Sequence, residues 1–212
     1  MYIPKYFEEA NIEVLHELVR THPLATLVTM SSHGLNANHI PMYLVQETSE
    51  YGILRGHVAR ANPVWRDLVS EVEALVIFQG ADTYISPSWY QTKQERGEVV
   101  PTWDYVTVHA YGPLRVVDDV VWLRELLKNL TTQHEAPLAE PWSIADAPRE
   151  YIDKMMTAII GIEIVIRKIH GKWKVSQNQP AQNQESIVVG LQEQNTGATV
   201  AMAQLVEQAG KK

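Results

Sequence analysis

The 212-residue sequence contains no cysteine. Disulfide frameworks, thiolate zinc sites, iron–sulfur clusters and cysteine nucleophiles are therefore excluded for this chain. The absence also suits a reducing compartment, and we expect a cytoplasmic protein. A chain of this length buries a sizeable hydrophobic core as one domain, so it needs neither disulfides nor metals to fold.

Long hydrophobic runs and basic stripes are equally scarce. The longest apolar runs, such as Ala74 to Phe78, are too short to cross a bilayer, and the first residues lack the apolar core of a secretory signal. The formal net charge is −7, with lysines and arginines scattered along the chain. We therefore predict no membrane association and no default attraction to nucleic acid, and no helix-turn-helix, zinc-finger or basic-zipper pattern is present.

Several catalytic motifs are absent as well. The sequence has no GxSxG elbow, no GxGxxG fingerprint, no phosphate-binding P-loop and no HExxH pair. Its eight histidines lack a metal-ligand spacing, so we predict no metal site. No catalytic residue can be assigned, and any redox chemistry would have to come from a bound cofactor.

The hydrophobic periodicity predicts strands interspersed with a few helices. Helices are expected within Glu8–Arg20, from Pro63 to about Val69, after Asp118-Asp119 and after Pro148. Strands are expected at Leu24–Met30, Asn38–Val45, Tyr51–Val58, Glu73–Phe78 with an extension past Gly80, Trp103–Val117 with a bend at Gly112-Pro113, Ile162–Ile166 and, pairing near the last of these, Lys172–Ser176. Neighbouring strands lie close along the chain, which favours a mainly β, α+β fold: an antiparallel barrel with helices packed outside.

A change in composition predicts a domain boundary near residue 177. We assign residues 1–176 to the barrel domain and residues 177–212 to an Asn/Gln-rich segment followed by a helical appendage.

The junction Gly56–Trp65 combines a strand end, an arginine and a predicted helix start. Asn62 suits the helix N-cap and Pro63 the first helical position. Free amides and the helix dipole at such a start favour a phosphate, which Arg60 can hold with two parallel hydrogen bonds. The alternative is a well-capped surface helix beside an ordinary arginine.

Other side chains allow both a functional and a structural interpretation. Four aromatic residues can line a ligand cavity or belong to the core or to an interface: Tyr84, Trp89, Trp103 and Tyr105. Lys172 and Lys174 can reach an anion in a second subunit, or can be solvated residues beside a turn.

Six segments, in order and spacing, resemble the PaiB family of FMN-binding split-barrel proteins. They are MYIPKYF (Met1–Phe7), HIPMYL (His39–Leu44), GHVARANPVW (Gly56–Trp65), YISPSWY (Tyr84–Tyr90), VPTWDYVTVHAYG (Val100–Gly112) and GKWKVSQNQ (Gly171–Gln179). The resemblance implies a six-stranded antiparallel FMN-binding split barrel with peripheral helices, forming a homodimer with FMN where the subunits meet.

The resemblance also implies a set of cofactor-binding residues. Arg60 and Asn62 are placed near the phosphate, His39, Ile40 and Met42 near the ring or ribityl chain, and His57 near either. The implied function is negative regulation of transcription, linked to sporulation and degradative-enzyme production, with DNA or a regulatory protein as a partner.

Two alternatives stay open for the function. One is a flavin-dependent oxidoreductase, because the same barrel supports several chemistries. The other is a haem-binding or haem-degrading protein, with His39, His57 or His109 as the axial ligand.

Overall fold

The computed structural model describes residues 1–46, 49–69 and 72–211. The strands in these ranges are β1 (Glu8–Glu9), β2 (Leu24–Ser31), β3 (Gly34–Pro41), β4 (Tyr43–Val45), β5 (Ile53–Ala59), β6 (Ala74–Ile85), β7 (Thr102–Gly112), β8 (Leu114–Val117), β9 (Ile159–Val165) and β10 (Lys168–Lys174). The helices are α1 (Ile12–Thr21), α2 (Lys93–Arg96), α3 (Val120–Glu135), α4 (Arg149–Met156), α5 (Ala181–Gln194) and α6 (Gly197–Ala209). Short 3₁₀ turns lie at Lys5–Phe7, Pro63–Trp65, Pro87–Trp89 and Ile144–Asp146.

The strands form two sheets. One has six strands in the order β1-β10-β7-β6-β2-β3, and the other has four in the order β4-β5-β9-β8. The predicted α+β class, with antiparallel strands, is confirmed. Neither sheet closes on itself within the described ranges, so the six-stranded barrel stays a prediction.

The chain divides into two compact units. The first comprises Met1–Leu18, Gln79–Val108 and His170–Lys212, and the second comprises Val19–Phe78 and His109–Ile169. Strands β6 and β7 each contribute residues to both units. Among the described residues, no helix combines the length and apolar character needed to span a membrane.

In the second unit, α3 covers one face of the four-stranded sheet. Asp119 caps this helix by accepting a hydrogen bond from the Trp122 amide at 2.7 Å, as the sequence predicts. Three leucines of this helix, Leu123, Leu126 and Leu130, are buried. Because side chains alternate along a strand, Ile160, Ile162 and Ile164 of β9 form the core on the opposite face of the sheet.

In the first unit, α5 and α6 pack against each other. Ile187, Leu191, Met202 and Val206 are all buried in this helix pair. The helical character predicted for the appendage within residues 177–212 is confirmed.

The prediction of a helix from Pro63 to about Val69 is wrong. The structure has a single 3₁₀ turn there, Pro63–Trp65, with Asn62 as its cap. The Val69 amide donates to the carbonyl of Met30 at 3.0 Å. The chain therefore lies beside the end of β2 and does not continue as a helix. A tertiary hydrogen bond thus overrides the local capping signal.

Two predicted strands also differ from the observed ones. The segment Asn38–Val45 is split at Met42, whose amide donates to the carbonyl of Pro23 at 2.9 Å, and its halves β3 and β4 enter different sheets. The strand expected at Lys172–Ser176 is β10, which pairs with β1 and lies in a different sheet from β9. The bend predicted at Gly112-Pro113 is confirmed, because β7 and β8 separate there.

Candidate functional site

The end of β5 is held by the side chain of Asn62. Its Oδ1 accepts from the Val64 amide at 3.0 Å, which caps the 3₁₀ turn, and its Nδ2 donates to Oδ1 of Asn38 at 2.8 Å. Asn38 in turn donates to Asn36 Oδ1 at 2.8 Å. Three asparagines therefore form a hydrogen-bonded row that joins the junction to β3.

Arg60 is already engaged by its own chain. Its guanidinium forms two parallel hydrogen bonds to Asp118, at 2.8 and 2.6 Å, and also donates to the carbonyls of Thr157 and Ile159 at 3.1 and 3.2 Å. The hydrogen bond from Arg60 lowers the pKa of Asp118, and the same bond raises the pKa of Arg60. The anion that the sequence leads us to expect beside Arg60 is, in this structure, the carboxylate of Asp118.

This ion pair lies at the surface. The side chains of Arg60 and Asp118 are 33% and 59% exposed. Water and dissolved anions therefore reach the pair, and a phosphate can compete with Asp118 for the guanidinium.

The residues of β5 point to two different faces of the sheet. A Cβ on Gly56 would lie 2.9 Å from Met42 Sδ and 3.3 Å from Ile40 Cγ2, so these two buried side chains occupy one face. His57 follows Gly56 and pairs with Gly161, whose own Cβ would meet the Trp122 ring. His57 is thus on the α3 side, away from Ile40 and Met42.

His57 is partly desolvated beneath α3. Burial lowers its pKa below the ordinary histidine value. Among the described residues, neither its Nδ1 nor Nε1 of Trp122 has a hydrogen-bond partner. His39, in contrast, is exposed on β3, and His109 on β7 lies 3.5 Å from the Tyr111 hydroxyl. The three histidines proposed as haem ligands therefore lie on three different strands.

In the first unit, the segments WDY and VSQ meet at a buried carboxylate. Asp104 is 1% exposed, and its Oδ2 accepts from Ser176 Oγ at 2.5 Å. Lys174 Nζ lies 3.6 Å from Asp104 Oδ1 and donates to Thr102 Oγ1 and the Trp103 carbonyl. Burial raises the pKa of Asp104, and the contacts with Ser176 and Lys174 offset this only in part.

Both lysines considered from the sequence are fixed by this unit. Lys172 is 8% exposed, donates to the Tyr2 carbonyl at 3.2 Å and lies 5.0 Å from the Tyr105 ring centre. Lys174 is part of the Asp104 cluster. The interpretation of both as solvated residues is therefore wrong.

Of the four aromatic candidates, Tyr105 is half-buried beside Lys172, and the other three divide into a packed and an exposed group. Trp89 packs on α5, where a Cβ on Gly190 would lie about 2.5 Å from its ring. Tyr84 and Trp103 are 44% and 56% exposed, and their rings meet edge to face at 6.1 Å between centres. This exposed pair is available for stacking on a ligand.

Sequence reasoning missed the carboxylates that pair with the basic residues. These pairs are Asp118 with Arg60, Asp104 with Lys174, and Glu163 with Arg55 and Arg115. The sequence places Asp118 at a predicted helix start and Glu163 within the predicted strand Ile162–Ile166, and neither position predicts an ion pair. A single acidic residue inside the Ile-Glu-Ile pattern of β9 is the signal that would have indicated Glu163, because an unpaired charge there is costly. Among the described residues, no group of three or more His, Asp or Glu is placed to hold a metal ion.

Comparison with known proteins shows the family to which this chain belongs. The family described as "Putative FMN-binding domain" matches residues 1–168. The protease synthase and sporulation protein PAI 2 of Bacillus subtilis is 32% identical over 212 residues, covering 100% of this chain and 99% of the relative. The chain belongs to this PaiB-like, FMN-binding family. The predicted resemblance is confirmed.

Relatives of the PaiB-like chain extend to fungi, and solved structures share its fold. An uncharacterized protein of Emericella nidulans is 32% identical over 246 residues, covering 100% of this chain and 98% of the relative. The FAD and heme binding protein of Mycobacterium smegmatis matches with a TM-score of 0.58 at 20% identity, covering 86% of this chain and 80% of that one. A conserved hypothetical protein of Mycobacterium tuberculosis matches with a TM-score of 0.57 at 15% identity, covering 85% and 94%.

The donor chemistry of the second unit fits a flavin with one condition. A guanidinium and asparagine amides near a strand end suit a phosphate and polar ribityl oxygens. Arg60 would hold a phosphate only by releasing Asp118, and both side chains are partly exposed to solvent. His57 lies on the α3 face of β5, and Met42 packs against the opposite face. One flavin held by Arg60 and Asn62 of this chain therefore cannot touch both side chains.

Proposed function

We propose that this PaiB-like protein binds FMN as a homodimer and that the flavin-bound form represses transcription. The observation that carries the proposal is the family match across residues 1–168. The name of the Bacillus subtilis relative, a protease synthase and sporulation protein, supports a regulatory role. A six-stranded split barrel belongs to the same proposal, supported by the shared fold of a FAD and heme binding protein. A cytoplasmic location belongs to it as well, supported by the lack of cysteine.

We assign the six predicted residues to separate tasks in this proposal. Arg60 holds the flavin phosphate, and Asn62 with its row of asparagines positions the junction beside it. His39 is exposed and faces the ring or ribityl chain. Ile40 at the end of β3 and Met42 just after it are buried behind that contact, while His57 supports the junction from the α3 side. Bound FMN would supply redox-active and light-absorbing chemistry.

Flavin uptake tests the proposal directly. The full chain is mixed with FMN, separated from excess flavin by gel filtration, and examined by visible absorption and analytical ultracentrifugation. We expect a retained flavin band and a dimer. Parallel samples with FAD and haem separate the cofactors: retention of either one without FMN, or of none, contradicts the proposal.

Two variants and one ligand test the role of Arg60. Arg60→Ala is expected to weaken FMN binding, whereas Asp118→Asn removes the competing carboxylate and is expected to strengthen it. Riboflavin is the matched control because it has the same ring without the phosphate, so its affinity should respond to neither variant. Equal effects on FMN and riboflavin would show that Arg60 acts on the fold and not on the phosphate.

DNA contact is tested by salt dependence. The chain carries a net charge of −7, so we expect any specific DNA binding to be confined to a local surface of the dimer or to be indirect, through a protein partner. Binding of a labelled promoter fragment by the FMN-loaded dimer, measured across a salt series, distinguishes these routes. No binding at low salt favours the indirect route.

A further inference from the structure

A cleft in the second unit lies between α3, the loop before α4, and the start of α4. It has a volume of about 440 Å³, within the range of pockets that bind small molecules. Arg124 and Lys128 line it from α3, and Arg149 from α4. Its remaining lining is mostly apolar and includes Ile144 and Ile152.

Two features of the helices oppose the gathering of cations at this cleft. Arg124 and Lys128 are four residues apart on α3, where like charges repel. Arg149 lies in the first turn of α4, where the helix dipole disfavours a cation. Asp153, four residues after Arg149, offsets this cost in part.

The nearby carboxylates neutralise only part of this charge. Asp153 accepts a hydrogen bond from Arg124 and lies 3.7 Å from Arg149. Asp146 is turned towards the loop backbone, where it accepts from the Ser143 amide at 2.7 Å. Lys128 has no ion-pair partner within the described part of the chain. The cleft lining contains three cations and no carboxylate, and against Asp146 and Asp153 beside it one positive charge is in excess.

We propose that this cleft binds a small organic acid with a short apolar body. The carboxylate is held by Lys128 together with Arg124 and Arg149, and the apolar body packs against Ile144 and Ile152. Such a ligand supplies the missing negative charge and removes apolar lining from water. The site uses none of the residues assigned to FMN, so it does not depend on the proposed flavin function.

Sodium octanoate is a suitable probe, with octylamine as the control of opposite charge. Titration of the full chain, followed by calorimetry and by NMR of the probe, is expected to show saturable octanoate binding at one site and no comparable octylamine binding. Pre-loading with FMN should leave octanoate affinity unchanged. Equal binding of both probes, no saturation, or displacement by FMN would overturn the proposal.

A matched pair of variants locates the site. Lys128→Gln removes an exposed cation that has no ion-pair partner among the described residues. We expect octanoate affinity to fall roughly three- to tenfold, because the lost charge-assisted contact is partly screened by solvent. Lys154→Gln makes the same change on α4 outside the cleft lining, and affinity should stay within about twofold. An equal effect of the two variants would show only general charge attraction and would reject the cleft.

Discussion

Two buried carboxylates, Glu163 in the second unit and Asp104 in the first, differ in the number of cations beside them. Glu163 lies on the central strand β9, between Arg55 of β5 and Arg115 of β8. Arg55 Nε lies 2.9 Å from its Oε2, and Arg115 Nη2 lies 2.7 Å from its Oε1. Among the described residues, Asp104 has one cation beside it, Lys174 at 3.6 Å.

The number of cations decides the direction of each pKa shift. Burial would raise the pKa of Glu163, but hydrogen bonds from Arg115 and Arg55 outweigh burial and lower it. For Asp104, burial is larger than the offsetting contacts with Ser176 and Lys174, and the pKa is raised. Two arginines, one on each oxygen, favour the ionised form of Glu163, whereas one lysine beside Asp104 does not offset its burial.

These directions give opposite pH dependences. A lowered native pKa means that the contribution of Glu163 to stability is fully present above its unfolded pKa and is lost as pH falls through the native pKa. A raised native pKa means that the contribution of Asp104 is present at low pH and is lost as pH rises through the native pKa.

The largest effect is expected for Glu163→Gln. This change leaves two arginines facing a neutral amide, and we expect the free energy of unfolding at pH 7 to fall by about 2–4 kcal/mol, since one partner is solvent-exposed. Urea denaturation at pH 7 and pH 4 measures it. The difference from the natural protein should shrink at pH 4, and a difference that grows there would contradict the assigned pKa direction.

The second effect is expected for Gly161→Ala, which disturbs the same cluster through Trp122. A Cβ at this position would lie 2.3 Å from Trp122 Cζ3 and 2.9 Å from the Val117 carbonyl oxygen. The displaced ring would lose its contact with Arg55, whose guanidinium lies 5.5 Å from the ring centre. We expect a loss of about 1–3 kcal/mol in unfolding free energy.

Gly197→Ala is the control for that glycine variant. Gly197 is the first residue of α6, and a Cβ there meets no atom within 4 Å. Its unfolding free energy should stay constant or rise by up to about 1 kcal/mol, because alanine favours the helix. Equal losses in both variants would show that Trp122 does not restrict Gly161.

The sequence predicts the elements of the fold better than their partners. The spacing of Leu123 and Leu130 predicts α3, and Gly112-Pro113 predicts the break between β7 and β8, because these signals are local. The pairing of β10 with β1 joins Glu8 to Lys172, and such long-range pairing leaves no local pattern. The short turn at Pro63 likewise depends on a distant carbonyl, that of Met30.

The candidate site shows the same division. Asn62 as a cap follows from its position before Pro63, and the structure confirms this role for a shorter turn. The contact of Arg60 with Asp118 joins residues 58 positions apart, so spacing alone does not predict it. Proximity in the fold, and not residue type, decides which anion an arginine binds.

A smaller effect of opposite sign is expected for Asp104→Asn. The neutral amide removes the cost of a buried charge while retaining an oxygen that accepts from Ser176. We expect unfolding free energy at pH 7 to rise by up to about 1 kcal/mol. The gain should appear as pH rises through the native pKa of Asp104 and vanish in acid. A clear loss at pH 7 would show that the ion pair with Lys174 outweighs burial.

The smallest effect is expected for Arg115→Gln. This arginine is 65% exposed, whereas Arg55 is 22% exposed and also contacts Trp122. Arg55 remains beside Glu163 in the variant, so we expect a loss of only about 0.5 kcal/mol at pH 7. Arg55→Gln, measured alongside in urea, should cost more. If Arg115→Gln instead approaches the cost of Glu163→Gln, the exposed arginine is the one that keeps Glu163 ionised, and the contrast with Asp104 rests on that contact alone.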